Sequence, residues 1–245
     1  MKKLNLIYAI LLFSAFTSCK KDTQETSLTQ PQVPVIAAVR DSVSYKVDGQ
    51  TYTAGGIDLN NTNAGYEDAD RKLIYPDSTK KYEYSLIGTP DSILYFQETK
   101  IFSNSANIDI YFVKKFIKHP NAFFYWPGLS DVLTIFTVGK QPFADDFGWQ
   151  NAKDGIAFNI ATNSKGFTSY TSYNAYNGYN TSVFPSGFDK NSTFEIISFT
   201  QTTSGYLLEA KFTAVVIDNA TGDQKQLSNG YLRFTFSPAY ATNVN

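Results

Sequence analysis

The chain has 245 residues, 42% hydrophobic and 16% aromatic, with a formal charge of −1, which is enough apolar mass for one large all-β domain or two small ones. Nucleic acid is excluded as a partner, because phosphate binding needs clustered Lys and Arg, and the pairs Lys20-Lys21, Lys80-Lys81 and Lys114-Lys115 are scattered. A single Cys and a single His exclude internal disulfides and multi-Cys or multi-His metal sites, and any Ser-His-Asp triad would depend on His119, which lies in the turn-like His119-Pro120-Asn121.

At the start, Lys2 and Lys3 precede an apolar run from Leu4 to Phe16 and then Thr17-Ser18-Cys19-Lys20-Lys21-Asp22. The run is too short for a stable membrane span but suits the core of a secretory signal with a cleavage point after small residues. Cys19 would become the first residue of the mature chain. This stretch resembles the bacterial lipobox, and Cys-Lys-Lys-Asp resembles the opening of mature lipoproteins of the Bacteroidota. The resemblance implies acylation of Cys19, a membrane-lipid partner and an address in the cell envelope, on the outer membrane. Removing residues 1–18 takes 21 basic residues to 19 against 22 acidic ones, a formal charge of −3.

Residues 19–40, rich in Thr, Gln, Ser and Pro, read as a flexible tether that buries too little surface to fold alone. Residues 41–240 are expected to form a single antiparallel β-sandwich domain, jelly-roll-like, since Phe, Tyr and β-branched residues dominate while Met is nearly absent. The domain opens with Val43, Tyr45 and Val47 alternating with polar residues, Asp48-Gly49 as a two-residue turn, and Tyr52 and Ala54 continuing the pattern. An oxygen-rich loop follows, with Asp58, Asn60, Glu67, Asp68 and Asp70 as candidate ligands of a structural calcium. The glycine at Gly65 falls at the eighth position of the run from Asp58, so this is no EF-hand loop, and Asx-rich turns are the competing reading.

Residues 82–87 and 93–99 read as a second hairpin across Thr89-Pro90-Asp91-Ser92, where Pro90 presets the turn. The nearly continuous apolar run 108–117 predicts a strand covered on both faces. One short helix is expected near 129–138, because Leu129, Val132, Leu133 and Phe136 recur at helical spacing, with Ser130 as cap and Gly139 as stop; β-branched residues favour a competing strand over 132–138.

After a strand over 155–161 comes the most unusual segment, in which Tyr170, Tyr173, Tyr176 and Tyr179 recur every third residue among Ser, Thr, Asn and Gly. Tyrosine rings can stack on sugar rings while Asn side chains hydrogen-bond their hydroxyls, so these four with Trp126 and Trp149 are candidate glycan contacts. The alternative is a long loop whose tyrosines pack on the sandwich edge. Three strands, 194–199, 205–217 and 226–236, close the domain, the last two joined by the turn of residues 218–223.

The motifs Val47-Asp48-Gly49-Gln50-Thr51-Tyr52, Leu208-Glu209-Ala210-Lys211-Phe212 and Ser228-Asn229-Gly230-Tyr231-Leu232-Arg233-Phe234 are similar to the opening hairpin and closing strands of a family of uncharacterised Bacteroidota lipoproteins. That resemblance carries no activity or catalytic residue. No phosphate loop, nucleophile elbow or nicotinamide fingerprint appears in the sequence. The expected function is a non-enzymatic binding or scaffold module on the envelope, with a polysaccharide or an envelope protein as partner. One alternative is a carboxylate glycoside hydrolase using two of Asp145, Asp146, Asp154, Glu195 and Glu209. The other is a structural subunit of an envelope assembly.

Overall fold

Asp48 and Gly49 both adopt positive φ, 49° and 80°. A two-residue hairpin turn demands that pair, and it matches the twist of the strands it joins. It connects β1 (Ser42–Val47) to β2 (Gln50–Gly55), in register from Val47↔Gln50 to Ser42↔Gly55. The computed structural model describes residues 41–55, 62–70, 72–74, 85–87, 91–118, 127–162, 164–171, 173–174, 179–180, 187–203 and 205–239. All of these belong to one compact unit, Arg40–Asn245, and a second unit, Met1–Val39, lies outside the described residues.

The remaining strands are β3 (Thr62–Asp68), β4 (Lys72–Ile74), β5 (Ser85–Ile87), β6 (Ser92–Phe102), β7 (Ala106–Ile117), β8 (Gly139–Gln141), β9 (Gly155–Thr162), β10 (Gly166–Thr168), β11 (Tyr173–Asn174), β12 (Tyr179–Asn180), β13 (Thr193–Thr202), β14 (Gly205–Asp218) and β15 (Gln224–Phe236). One antiparallel sheet runs β2-β1-β15-β14-β10-β9-β7-β6-β3, and β13 branches from β14 and carries β8. Strand β14 is long enough to serve two neighbours along one edge, β13 over Gly205–Thr213 and β10 over Ile217–Asp218. The sheet curls until β2 lies against β6 and β7. The protein is therefore all-β and sandwich-like, with one apolar core enclosed by the curl.

Alternation decides what enters that core. Val43, Tyr45 and Val47 of β1, Ile108, Ile110 and Phe112 of β7, Ile156, Phe158 and Ile160 of β9 and Leu208, Ala210, Phe212 and Ala214 of β14 all face inward and are buried. Aromatic rings fill the middle. Phe158 touches Phe143, Phe194 and Phe212 with ring centroids 5.9, 6.0 and 5.0 Å away. Burying each such side chain contributes about 1.5–3 kcal/mol.

Curvature comes partly from a bulge in β15. Pairing with β14 slips between Phe212↔Gly230 and Ala214↔Leu227, and pairing with β1 slips between Ser44↔Tyr231 and Lys46↔Ser228, so β15 holds one extra residue against both neighbours. Asn229 absorbs it at φ 52°, which Asn tolerates better than most residues. Gly230 is required beside it because a Cβ there would collide with the Phe212 ring. The Asn-Gly pair of the closing strand is thus a packing device.

One expectation needs correction. Strand β5 does not pair with β6; it forms a separate two-stranded sheet with β4 (Lys72↔Ile87), and β6 pairs with β3 and β7. The physical reason is ladder length. Ser103 closes a tight turn, its Oγ accepting the Ala106 N–H at 3.2 Å and its N–H donating to the Ala106 carbonyl at 2.7 Å, and this lets β6 form eleven register pairs with β7. A three-residue β5 offers far fewer. The competing strand over 132–138 is not formed, and the short helix expected near 129–138 is present. It comprises α1 (Leu129–Leu133) and a 3-10 turn at Thr134–Phe136, begins at Gly128 with no side-chain cap, and stops as Thr137 turns extended. The β-branched Thr137 and Val138 end it, and Gly139 at φ 120° starts β8.

Candidate functional site

The outer face of β6, β7 and β9 is where chemistry gathers. Inward positions on β6 are Tyr95, Gln97, Thr99 and Ile101, so Leu94, Phe96, Glu98 and Lys100 point outward, beside Asp109, Tyr111 and Val113 of β7 and Ala157 and Asn159 of β9. A turn over residues 142–152 covers part of this face.

Asp146 builds that turn. Its carbonyl accepts the N–H groups of Trp149, Gln150 and Asn151, while its carboxylate accepts those of Ala152 at 2.8 Å and Lys153 at 3.3 Å. Burial raises the Asp146 carboxyl above its usual range, against those hydrogen bonds, which lower it. Asn151, buried and at φ 54°, fastens the turn to β3. Its amide donates to Glu67 Oε2 at 3.0 Å and to the Asp68 carbonyl at 3.2 Å, and its Oδ1 accepts the Gly148 N–H at 2.8 Å.

Under the turn lies an aromatic cluster. Phe147 contacts Phe96, Tyr111 and Tyr170 with centroids 5.5, 4.8 and 5.5 Å away, and Tyr111 meets Tyr170 edge-on at 6.0 Å. A polar row adjoins it. Tyr111 donates to Glu98 Oε1 at 3.1 Å, Asn63 donates to Glu98 Oε2 at 3.3 Å, and Asn159 donates to Asp109 Oδ2 at 3.1 Å. Lys100 sits between the two carboxylates, 3.9 Å from Glu98 and 3.5 Å from Asp109. Among the described residues Asp109 Oδ1 accepts no hydrogen bond, and the Lys100 ammonium 3.5 Å away faces it. Burial first, then the Glu98 charge, raises the Asp109 carboxyl; Lys100 pulls it back. The Tyr170 hydroxyl is pushed up to about 12, mainly by burial and secondarily by the Asp109 charge, and Tyr111 is raised for the same first reason.

The predicted site residues divide as follows. Tyr170 lies at this face, its ring flanked by Tyr111 and Phe147. Trp149 is in the covering turn, half-buried. Tyr173 and Tyr179 fall on β11 and β12, which pair Tyr173↔Asn180 and Asn174↔Tyr179. Trp126, Tyr176, Cys19, His119, Asp58 and Asn60 lie outside the described residues. Glu67 accepts from Asn151, Asp68 pairs with Lys118 at 3.2 Å, and Asp70 pairs with Lys115 at 3.6 Å. Among the described residues no group of three or more His, Cys, Asp or Glu side chains is set to hold a metal ion.

The carboxylates considered for hydrolysis fall in two groups, Asp145, Asp146 and Asp154 on or beside the covering turn and Glu195 and Glu209 on β13 and β14. Asp145 pairs with Lys153 at 2.6 Å, Asp154 accepts the Lys115 N–H at 2.8 Å, and Glu195 pairs with Lys211 at 3.0 Å. Glu209 faces away from the core as expected and accepts from Ser198 at 2.9 Å and Tyr231 at 2.7 Å, hydrogen bonds that hold its carboxyl below the usual range. Glu98 and Asp109, which share the covered face and one ammonium, are not among the acids the sequence singles out. A signal was there: Asp109 is a charge inside the apolar run 108–113, and a charge in a doubly covered strand needs a partner.

No protein-family model, curated protein or solved structure matches the chain. Among the described residues no helix is long and apolar enough to cross a membrane, which says nothing of strands.

Proposed function

We propose that the protein is a cell-envelope lipoprotein, held on the outer membrane through acylated Cys19, whose β domain is a non-enzymatic binding or scaffold module with a glycan as ligand. The anchor reading rests on the Lys2-Lys3, Leu4 to Phe16 and Cys19 arrangement of the sequence. The binding reading rests on one observation above others. The Trp149 turn and the start of the tyrosine segment are fastened to each other, Thr171 donating its N–H to the Asp145 carbonyl at 2.7 Å and Tyr170 meeting Phe147 at 5.5 Å. Trp149 and the tyrosine segment, both candidates for sugar contact and far apart in sequence, therefore meet beside a row of hydrogen-bonding side chains.

Carboxylate hydrolysis is less well supported, because each acid proposed for it has an ion pair or hydrogen bond that a structural role accounts for. Affinity electrophoresis through neutral polysaccharides tests the binding reading. Retention is expected, with loss on Trp149→Ala combined with Tyr173→Ala; a protein that migrates unretarded through every gel overturns it. Metabolic palmitate labelling tests the anchor separately, and label persisting in Cys19→Ser would end that half of the proposal.

A further inference from the structure

The β1–β2, β9–β10 and β14–β15 turns gather at one end of the sheet, where Asp48 pairs with Lys165 at 2.9 Å and Lys225 at 3.3 Å. Two recesses adjoin there. One, of about 220 Å³, lies between edge strand β2 and the turns after β6 and β9, walled by Thr51, Tyr52, Thr53, Ser105, Thr162 and Ser164. The other, of about 420 Å³, shares Ser105 and Thr162 with it and adds Phe102 and Lys100. Their combined size falls in the range of about 300–1,000 Å³ typical of small-molecule sites.

The lining selects a ligand chemistry. No charged side chain borders the smaller recess, and six of its seven lining residues carry a hydroxyl, which both donates and accepts. Lys100, at the far wall, is already committed to Glu98 and Asp109. Phe102 is an aromatic ring 40% exposed at the rim, available for stacking. Among the described residues β2 pairs only with β1, so its other edge keeps backbone donors and acceptors beside the recess.

The interior behind this edge is polar as well. Tyr52 stacks on Tyr45 at 5.6 Å, and among the described residues the buried Tyr45 hydroxyl has no hydrogen-bond partner. On the facing β6, the inward side chains of Gln97 and Thr99 are likewise buried behind the recesses without lining them, and among the described residues both amide atoms and the hydroxyl have no hydrogen-bond partner. Each such group has given up its bonds to water without a replacement. An apolar residue would avoid that loss, and these positions do not have one.

The geometry points to a binding site for a neutral saccharide in this cleft, with one sugar face on Phe102 and its hydroxyls bonded by the Ser and Thr wall. The site shares the ligand class of the reading above and, of its residues, Lys100 at the far wall, but not Trp149 or the tyrosine segment, so the variants that test the two are distinct. Saturation-transfer NMR on the full chain in zwitterionic micelles, with cellobiose and maltose as probes and glucuronate and glucosamine as charged controls, tests it. Transfer to the neutral disaccharides is expected, weakened about tenfold in affinity by Phe102→Ala and by Thr51→Val with Thr53→Val, and unchanged by Trp149→Ala. The threonine pair keeps β-branched shape, so it separates lost hydroxyls from lost fold. Absence of transfer to both neutral sugars, stronger transfer to a charged control, or sensitivity to Trp149→Ala alone overturns the cleft. The last outcome would leave the tyrosine face standing.

Discussion

Two outer faces of the same curled sheet obey the same alternation and handle charge in opposite ways. On β13, β15 and the first half of β14 the outward charged side chains meet solvent, whereas Val215 and Ile217 farther along β14 are buried with Phe188. Glu195 pairs with Lys211, and Glu209 collects Ser198, Tyr231 and Arg233, the last at 3.5 Å. Its carboxyl titrates below the usual range because the charged form is the one being bonded. On β6, β7 and β9 a turn and four aromatic rings cover the face, and Asp109 beneath them titrates above its usual range because burial outweighs Lys100. The difference lies in the cover, since both acids have a cation nearby. A strand's own residues set which way a charge points, and what a distant loop lays over it sets whether that charge is comfortable.

The largest expected effect comes from unfastening the cover. Asn151→Ala removes three hydrogen bonds that tie the turn to itself and to β3, and puts Ala at φ 54°. A loss of about 2–4 kcal/mol is expected, read from urea midpoints. The near-ultraviolet signal of Tyr111 and Tyr170 should change with it. A midpoint within error of the parent would show that the aromatic cluster holds the turn without its polar ties.

The same contrast explains what could be read from the residues in order. The β1–β2 hairpin, β9 and the three closing strands were legible because each is specified locally, by Asp48-Gly49, by alternation or by the 218–223 turn. The pairing of β6 was not. Pro90 marked a turn, but one edge of β6 goes to β7 with eleven register pairs and the other to β3 with seven, against which the three-residue β5 cannot compete, and no local pattern records this. Glu98 and Asp109 are eleven positions apart in sequence, and only the β6–β7 register, pairing Glu98 with Tyr111 and Lys100 with Asp109, makes them neighbours. The covering turn was equally hidden, since Asp146 and Asn151 act through backbone groups and through Glu67, far earlier in the chain.

A middle-sized effect should appear as a pH dependence. The native state holds the Asp109 proton more tightly than the unfolded chain does, so Asp109 favours folding below its ordinary value of 3.8, and that advantage disappears as pH rises through the elevated native value. Glu209 runs the other way, contributing above its ordinary 4.5 and losing that contribution as pH falls through its depressed native value. Asp109→Asn should therefore gain stability relative to the parent as pH rises from 3 toward neutrality, measured by thermal melts across that span. Asn still accepts from Asn159. A gap between variant and parent that stays constant with pH would place Asp109 in an environment no drier than that of Glu209.

The smallest effect tests the solvated face. Glu195 and Lys211 stand directly opposite on β13 and β14, with the ammonium 3.0 Å from the carboxylate, yet the Lys211 side chain is 60% exposed. Water already solvates both groups, and holding two long side chains in one geometry costs rotamer freedom that the Coulomb gain barely offsets. Lys211→Met should change stability by no more than about 0.5 kcal/mol, with its effect shrinking further in high salt. A loss several times larger that salt does not diminish would mean that this face is covered in the folded protein too, and the contrast between the two faces would collapse.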